Sequence, residues 1–157
     1  MKYFVIADTH FNHENIIKYC NRPYRDVQQM NEDLVKRWNE VVSKNDVVYI
    51  LGDFAFGMIG IEDLLGRLHG TKYLVKGNHD RYTNQFYRNM GFKEVYDKPI
   101  LVDFFLLSHE PLVLSETTPY FNYYGHVHND EKYHDNATSK CVSVERINYK
   151  PYEFMRR

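Results

Sequence analysis

Cysteine is scarce: the 157 residues hold two, Cys20 and Cys141, far apart and in no Cys-x-x-Cys pattern. A disulfide framework and a zinc ribbon are both disfavoured, and a reduced, cytoplasmic setting is expected. The five prolines and eight glycines are too few and too scattered to build a linker, and there is no repeat or low-complexity stretch. One domain over residues 1–157 is therefore expected, large enough to fold around its own core. Neither sign of charge is in excess, with 20 Lys+Arg against 21 Asp+Glu and a net charge of −1. That balance argues against an extended nucleic-acid surface, while leaving room for a small site that handles one phosphate. Long apolar runs are also missing. The longest, Tyr3–Ala7 and Val47–Leu51, fall far short of the ~18 residues that span a bilayer, and Asp8 interrupts any leader-like segment. No membrane association is expected.

What the chain has in quantity is histidine, eight residues in all, and their placement carries the argument. The apolar runs Tyr3–Ala7, Val47–Leu51 and Tyr73–Val75 read as strands buried on both faces. Between them, Ile16, Ile17 and Tyr19 fit a short helix. Asp26 fits the N-cap of a longer one, with Val27, Met30, Leu34, Val35, Trp38, Val41 and Val42 at spacings of three and four. Ile61, Leu64, Leu65 and Leu68 predict a helix stopping at Gly70, and Thr83–Met90 another. The second half reads mainly as strands: Phe92–Tyr96, one or two within Pro99–Leu107, then Cys141–Val144 and Tyr152–Phe154. Helices and strands alternate first and strands dominate later, which points to a layered α/β domain.

Each of five strands is followed by Asp, Asn or His, often beside glycine. The segments are Asp8-Thr9-His10, Gly52-Asp53, Gly77-Asn78-His79-Asp80, Ser108-His109 and Gly125-His126-Val127-His128. In α/β sheets, ligands bind in the crevice beyond the carboxyl ends of the strands, so these side chains can converge. Imidazole and carboxylate without thiolate suit Mn, Fe, Zn or Ni. Seven candidate ligands exceed what one tetrahedral ion needs, and suit two ions sharing a carboxylate.

In order, these segments resemble the five motifs of the calcineurin-like metallophosphoesterase superfamily, over positions 8 to 128, and in particular its small bacterial and phage-type members. The resemblance implies a four-layer α-β-β-α sandwich with two mixed sheets and a metal site at the C-terminal ends of the strands. It implies that Asp8, His10 and His128 bind one divalent ion, that Asn78, His109 and His126 bind a second, and that Asp53 bridges them. Manganese is the first expectation, with Fe, Zn, Ni or Mg as alternatives. His79 would be the general acid and Asp80 would orient its ring. A hydroxide formed between the ions would attack a phosphodiester or phosphomonoester, a small molecule or nucleotide-like compound. The alternatives are a nuclease or RNA-end-processing enzyme, and a silent scaffold of the same fold. Monomer and homodimer are both open.

Three residues near the motifs are candidate substrate contacts: His13 at a helix start, Arg81 beside Asp80, and Asn12. The run Tyr120-Phe121-Asn122-Tyr123-Tyr124 either stacks on a base or packs in the core. His69 and His134 read as solvated. The run after Asp53 departs from many members of the superfamily. Phe54-Ala55-Phe56-Gly57 stands where those acting on phosphoproteins carry Asp-Arg-Gly, and Asp80 stands where they carry Glu. A phosphoprotein substrate is thereby disfavoured, and an open site with little to enclose it is expected.

Overall fold

In the computed structural model, which describes residues 1–157, the short apolar runs become strands of two packed sheets. Strands β1 (Lys2–Ile6), β2 (Val47–Ile50), β3 (Thr71–Val75) and β4 (Glu94–Tyr96) pair in parallel in the order β4-β3-β2-β1. Strands β5 (Ile100–Val102), β6 (Phe105–Leu107), β7 (Phe121–Tyr124) and β8 (Ser139–Cys141) form the second sheet in sequence order. Strand β9 (Tyr152–Arg156) returns to the first sheet, antiparallel on the free edge of β1. Because β5 runs antiparallel to β6 while β6, β7 and β8 are parallel, both sheets are mixed.

Helices α1 (Asn15–Tyr19), α2 (Val27–Val41), α3 (Ile61–Arg67) and α4 (Asn84–Met90) connect the first four strands. Those strands step in one direction across the sheet, so right-handed crossovers place the connections on one face. The segment that builds the second sheet contributes no α-helix, only a 3-10 turn at Val144–Arg146. The predicted cap at Asp26 is present, its carboxylate accepting from Gln29 N at 2.8 Å, and Thr83 caps α4 in the same way. Helix α2 buries Met30, Leu34, Val35 and Trp38, the stripe its spacing announced. Between the sheets lies an aromatic layer. Tyr49 stacks on Tyr73 at 5.0 Å, and Phe154 of β9 meets Phe105 and Tyr123 of the second sheet at 5.1 and 5.5 Å.

Within the run Tyr120–Tyr124, Asn122, Tyr123 and Tyr124 are buried in β7, Phe121 is half-buried and Tyr120 is exposed. His69, read as solvated, is half-buried and bonds the Val42 carbonyl at 3.1 Å. The expected strand Cys141–Val144 stops at Cys141 for a physical reason. Val142 N donates to Tyr124 O at 2.7 Å, but Val142 O accepts from Ala7 N at 2.9 Å, and Val144 N donates to Ala7 O at 3.1 Å. The chain leaves one sheet to bond the end of β1 in the other, so it cannot continue along β7. This crossing stitches the two sheets together beside the strand ends.

Trp38 is fully buried and its Nε1 donates to His69 O at 3.0 Å. Trp38→Ala leaves a cavity and an unpaired carbonyl, and is expected to cost about 3–5 kcal/mol. A urea titration followed by circular dichroism checks this, with a wild-type midpoint as the contrary result.

Candidate metal centre

The ladder between β1 and β2 does not end with the strands. Asp8 N donates to Gly52 O at 3.0 Å, His10 N to Asp53 O at 3.0 Å and Phe11 N to Phe54 O at 2.9 Å. The two motif-bearing loops therefore run side by side on a fixed backbone. Asp8, His10, Asp53, His126 and His128 all have positive φ, between 49° and 70°. Left-handed backbone is uncommon in residues other than glycine, and costs of order 1–3 kcal/mol where the surroundings enforce it. Such strain is common at functional sites, and of the ten residues other than glycine that carry it here, five are expected ligands.

Glycine permits the close approach. A Cβ on Gly77 would lie 2.3 Å from Asp53 Oδ1, and one on Gly125 would lie 2.4 Å from the Ala7 Cβ and 2.9 Å from Asp8 Oδ2. Any side chain there would displace a ligand.

The expected ligands fall into two groups of ligating atoms, Asp8, His10 and His128 in one and Asp53, His109 and His126 in the other, while a third group joins His128 to Cys20 and Glu145. Asn78 Oδ1 joins the second, 2.9 Å from His109 Nε2 and 3.2 Å from His126 Nδ1. Asp53 Oδ2 faces both groups, 3.6 Å from His10 Nε2 and 3.5 Å from His109 Nε2. The residues fit divalent cations on two counts. Asp8 Oδ1 and His10 Nε2 are buried with no hydrogen-bond partner, a state that costs free energy unless something binds there. The donor set of carboxylate, imidazole and amide oxygen is that of a borderline-to-hard divalent ion.

The electrostatics reflect the same crowding. Burial raises the Asp8 carboxyl to about 6, although His128, His109 and the Ser143 hydroxyl favour its charged form. Burial holds His10 far below the ordinary imidazole range, helped by the nearby charges of His128 and Arg22. Burial alone would lower His128 too, but Cys20, Glu145 and Asp8 override it and lift the ring to about 11.

The supporting contacts include residues not picked out from the sequence. His128 Nδ1 donates to Glu145 Oε1 at 2.9 Å, leaving Nε2 for the ligand group. Glu145 is held by the fully buried Arg22 guanidinium at 2.9 Å, and Arg22 also donates to Asp8 O and Thr9 O at 2.6 and 2.8 Å. Ser143 Oγ and His126 N both donate to Asp8 Oδ2. His109 Nδ1 donates to Leu51 O at 2.8 Å, which fixes the tautomer with Nε2 free. One signal was available: Ser143 follows the apolar pair Cys141-Val142 as Asp8 follows Ile6-Ala7.

One expected role changes. Asp80 does not reach the His79 ring; its oxygens accept from the backbone N–H groups of Asp53, Gly77 and Phe54 at 2.7, 2.7 and 3.1 Å. It shapes the loop that carries Asp53, and burial raises its pKa to about 6. Asn12 is tied to the scaffold: its amide donates to Ile59 O and its oxygen accepts from Asn31. His13 and Arg81 do lie beside the centre. With His10, His79, Phe56 and Tyr82 they line a cavity of about 500 Å³. His79 is exposed, its ring 5.6 Å from that of His10, and its backbone N–H donates to Asp53 Oδ1 at 2.9 Å. Asn78 and His126 are exposed as well, so the centre opens to solvent.

The family model of calcineurin-like phosphoesterases matches residues 1–157. The chain belongs to this family. An uncharacterised family relative from Methanocaldococcus jannaschii is 39% identical, the match spanning 96% of this chain and 85% of that one. A protein of unknown function from Aquifex aeolicus has a crystal structure with a TM-score of 0.77 at 27% identity, covering 97% of this chain and 95% of that one. A Pseudomonas putida nuclease shares the fold, with a TM-score of 0.56 at 23% identity over 80% of this chain and 61% of that one. No helix here is long and apolar enough to cross a membrane.

Glu145→Gln removes the carboxylate that orients His128 and balances Arg22. Mn²⁺ affinity by isothermal titration is expected to fall about 10- to 100-fold. Unfolding should shift to lower urea, since breaking a buried pair costs about 3–5 kcal/mol. Wild-type affinity would contradict the orienting role.

Proposed function

We propose that this chain is a divalent-metal-dependent phosphoesterase that hydrolyses a phosphodiester or phosphomonoester of nucleotide-like or small-molecule size. The observation that carries the reading is the position of Asp53 Oδ2, between one histidine of each ligand group at 3.6 and 3.5 Å. A carboxylate so placed would be available to two divalent ions, one held with Asp8, His10 and His128 and one with Asn78, His109 and His126, and two-ion sites are the standard arrangement for in-line displacement at phosphorus. Divalent ions held there, manganese first among those that fit, would lower the pKa of water and neutralise phosphate oxygens.

The chain's own groups supply the rest. Asn78 contributes a neutral oxygen, which limits the negative charge facing an anionic ester. His79 is anchored through its backbone to Asp53 while its ring stays exposed. That places a proton donor next to the centre without committing it as a ligand, the position a general acid needs to protonate the departing oxygen. Asp80 ties the loop that holds His79 to the loop that holds Asp53. The Phe54–Gly57 run and the open mouth favour a small ester over a phosphoprotein.

Asp53→Ala is expected to abolish Mn²⁺ binding by calorimetry and hydrolysis of bis(4-nitrophenyl) phosphate together. Turnover retained in Asp53→Ala would refute the bridging role. His79→Ala should keep Mn²⁺ affinity and lose about 10²- to 10⁴-fold in rate on esters with alkyl leaving groups. On 4-nitrophenyl esters, whose leaving group needs no proton, the loss should be small. An equal loss on both kinds of ester would rule out the acid role.

A further inference from the structure

Beside the metal centre, the 500 Å³ cavity is walled by aromatic rings that the catalytic reading does not use. Phe56 is 63% exposed, unusual for a phenylalanine on a rigid segment. Its backbone is pinned: Phe56 N donates to Phe11 O at 2.8 Å, next to the Phe11–Ala55 bridge. One face of its ring is stacked on His13, with centroids 5.0 Å apart and planes 11° from parallel, and the His13 ring lies 5.5 Å from that of His10. Tyr19, 74% exposed, meets His13 edge-on from the helix α1 side, and Tyr82 lines the opposite loop. Arg81 lies on the same rim and makes no hydrogen bond or ion pair with the protein, so its guanidinium is free.

We infer that this aromatic cleft is a stacking subsite for a nucleobase, and that the substrate presents a nucleoside on the leaving side of the scissile bond. The inference deepens the phosphoesterase reading and rests on it. Three features select this occupant. The cavity volume suits one nucleoside-sized group. A preformed ring with one face stacked and the other offered to solvent is a platform for another flat π-system, and base–aromatic stacking tolerates any base. The free Arg81 can take a phosphate oxygen or add its own planar face to the stack.

The polarity of the site follows from His79. It lines the same cavity, so a group attached to the oxygen that His79 protonates must extend into the cleft. The near-zero net charge limits the substrate to a terminal residue or a dinucleotide, since a long strand would call for a basic track.

The test compares wild type, Phe56→Ala and Phe56→Trp, each loaded with Mn²⁺, on a dinucleotide and on its two analogues lacking one base or the other. Products identify the leaving side. In wild type, removing the leaving-side base is expected to raise KM about 10- to 100-fold, and removing the other base to change it little. Phe56→Ala should raise KM for the intact dinucleotide to a similar degree and lose sensitivity to that base, and Phe56→Trp should restore both. A Phe56→Ala protein with wild-type KM and wild-type base dependence would overturn the subsite. If wild type hydrolyses neither the dinucleotides nor bis(4-nitrophenyl) phosphate, the phosphoesterase reading itself fails. The cleft is then judged by titrating wild type and Phe56→Ala with adenosine and following the aromatic proton resonances. Shifts in wild type that vanish in Phe56→Ala support it, and equal or absent shifts overturn it.

Discussion

Two carboxylates buried together at the seam of two sheets are the constraint around which this molecule is arranged. Asp8 is fully inaccessible and Asp53 nearly so, at 0% and 2% exposure. Burying two like charges is unfavourable unless opposite charge or hydrogen-bond donors meet them. The protein meets part of the need: Ser143 and the His126 N–H approach Asp8, and the His79 N–H approaches Asp53. It leaves Asp8 Oδ1 unpartnered, beside imidazoles that are themselves desolvated. A centre built in this way is incomplete as a purely protein structure and complementary to cations. The fold serves that centre by bringing the parallel strand ends of both sheets to one place, and the Ala7–Val142–Val144 crossing holds the sheets in register there.

Around the ligands lies a polar scaffold that acts at a distance. Arg22 reaches from the loop after α1 to the carbonyls of Asp8 and Thr9 and to Glu145, and Glu145 sets His128. Asp80 spends both oxygens on the backbone of the Asp53 loop. These groups contribute geometry rather than ligands. A ligand placed by a strand end alone retains freedom about its side-chain torsions; a ligand whose second nitrogen is bonded does not.

The candidate ligand set was legible because each member follows an apolar run, and such runs are visible in one dimension. Five motifs in order then made both the family and the two-sheet sandwich readable. Arg22 and Glu145 were not legible, since a charged residue looks the same in sequence whether it is solvated or buried. Their partners are 123 positions apart, a separation no local pattern encodes. The orienting role of Asp80 was carried over from the resemblance, and neighbouring residues on a tight turn point different ways: the Asp80 carboxylate turns to the backbone of the Asp53 loop. The strand expected at Cys141–Val144 failed because apolar alternation reports burial and not which sheet supplies the hydrogen bonds. Phe56 was visible as a departure from the family pattern, while its exposure and its stack on His13 required coordinates.

The left-handed backbone at Asp8, His10, Asp53, His126 and His128 has a consequence for the molecule as a whole. At of order 1–3 kcal/mol each, five such residues together approach the entire net stability of a typical domain. The candidate centre is therefore a thermodynamic handicap, which the aromatic inter-sheet layer and the α2 core must outweigh. Cations that bind only the folded form shift the balance back by mass action. Stability and the geometry of the candidate metal centre are thus set against each other within the same few residues, and bound cations would reconcile them.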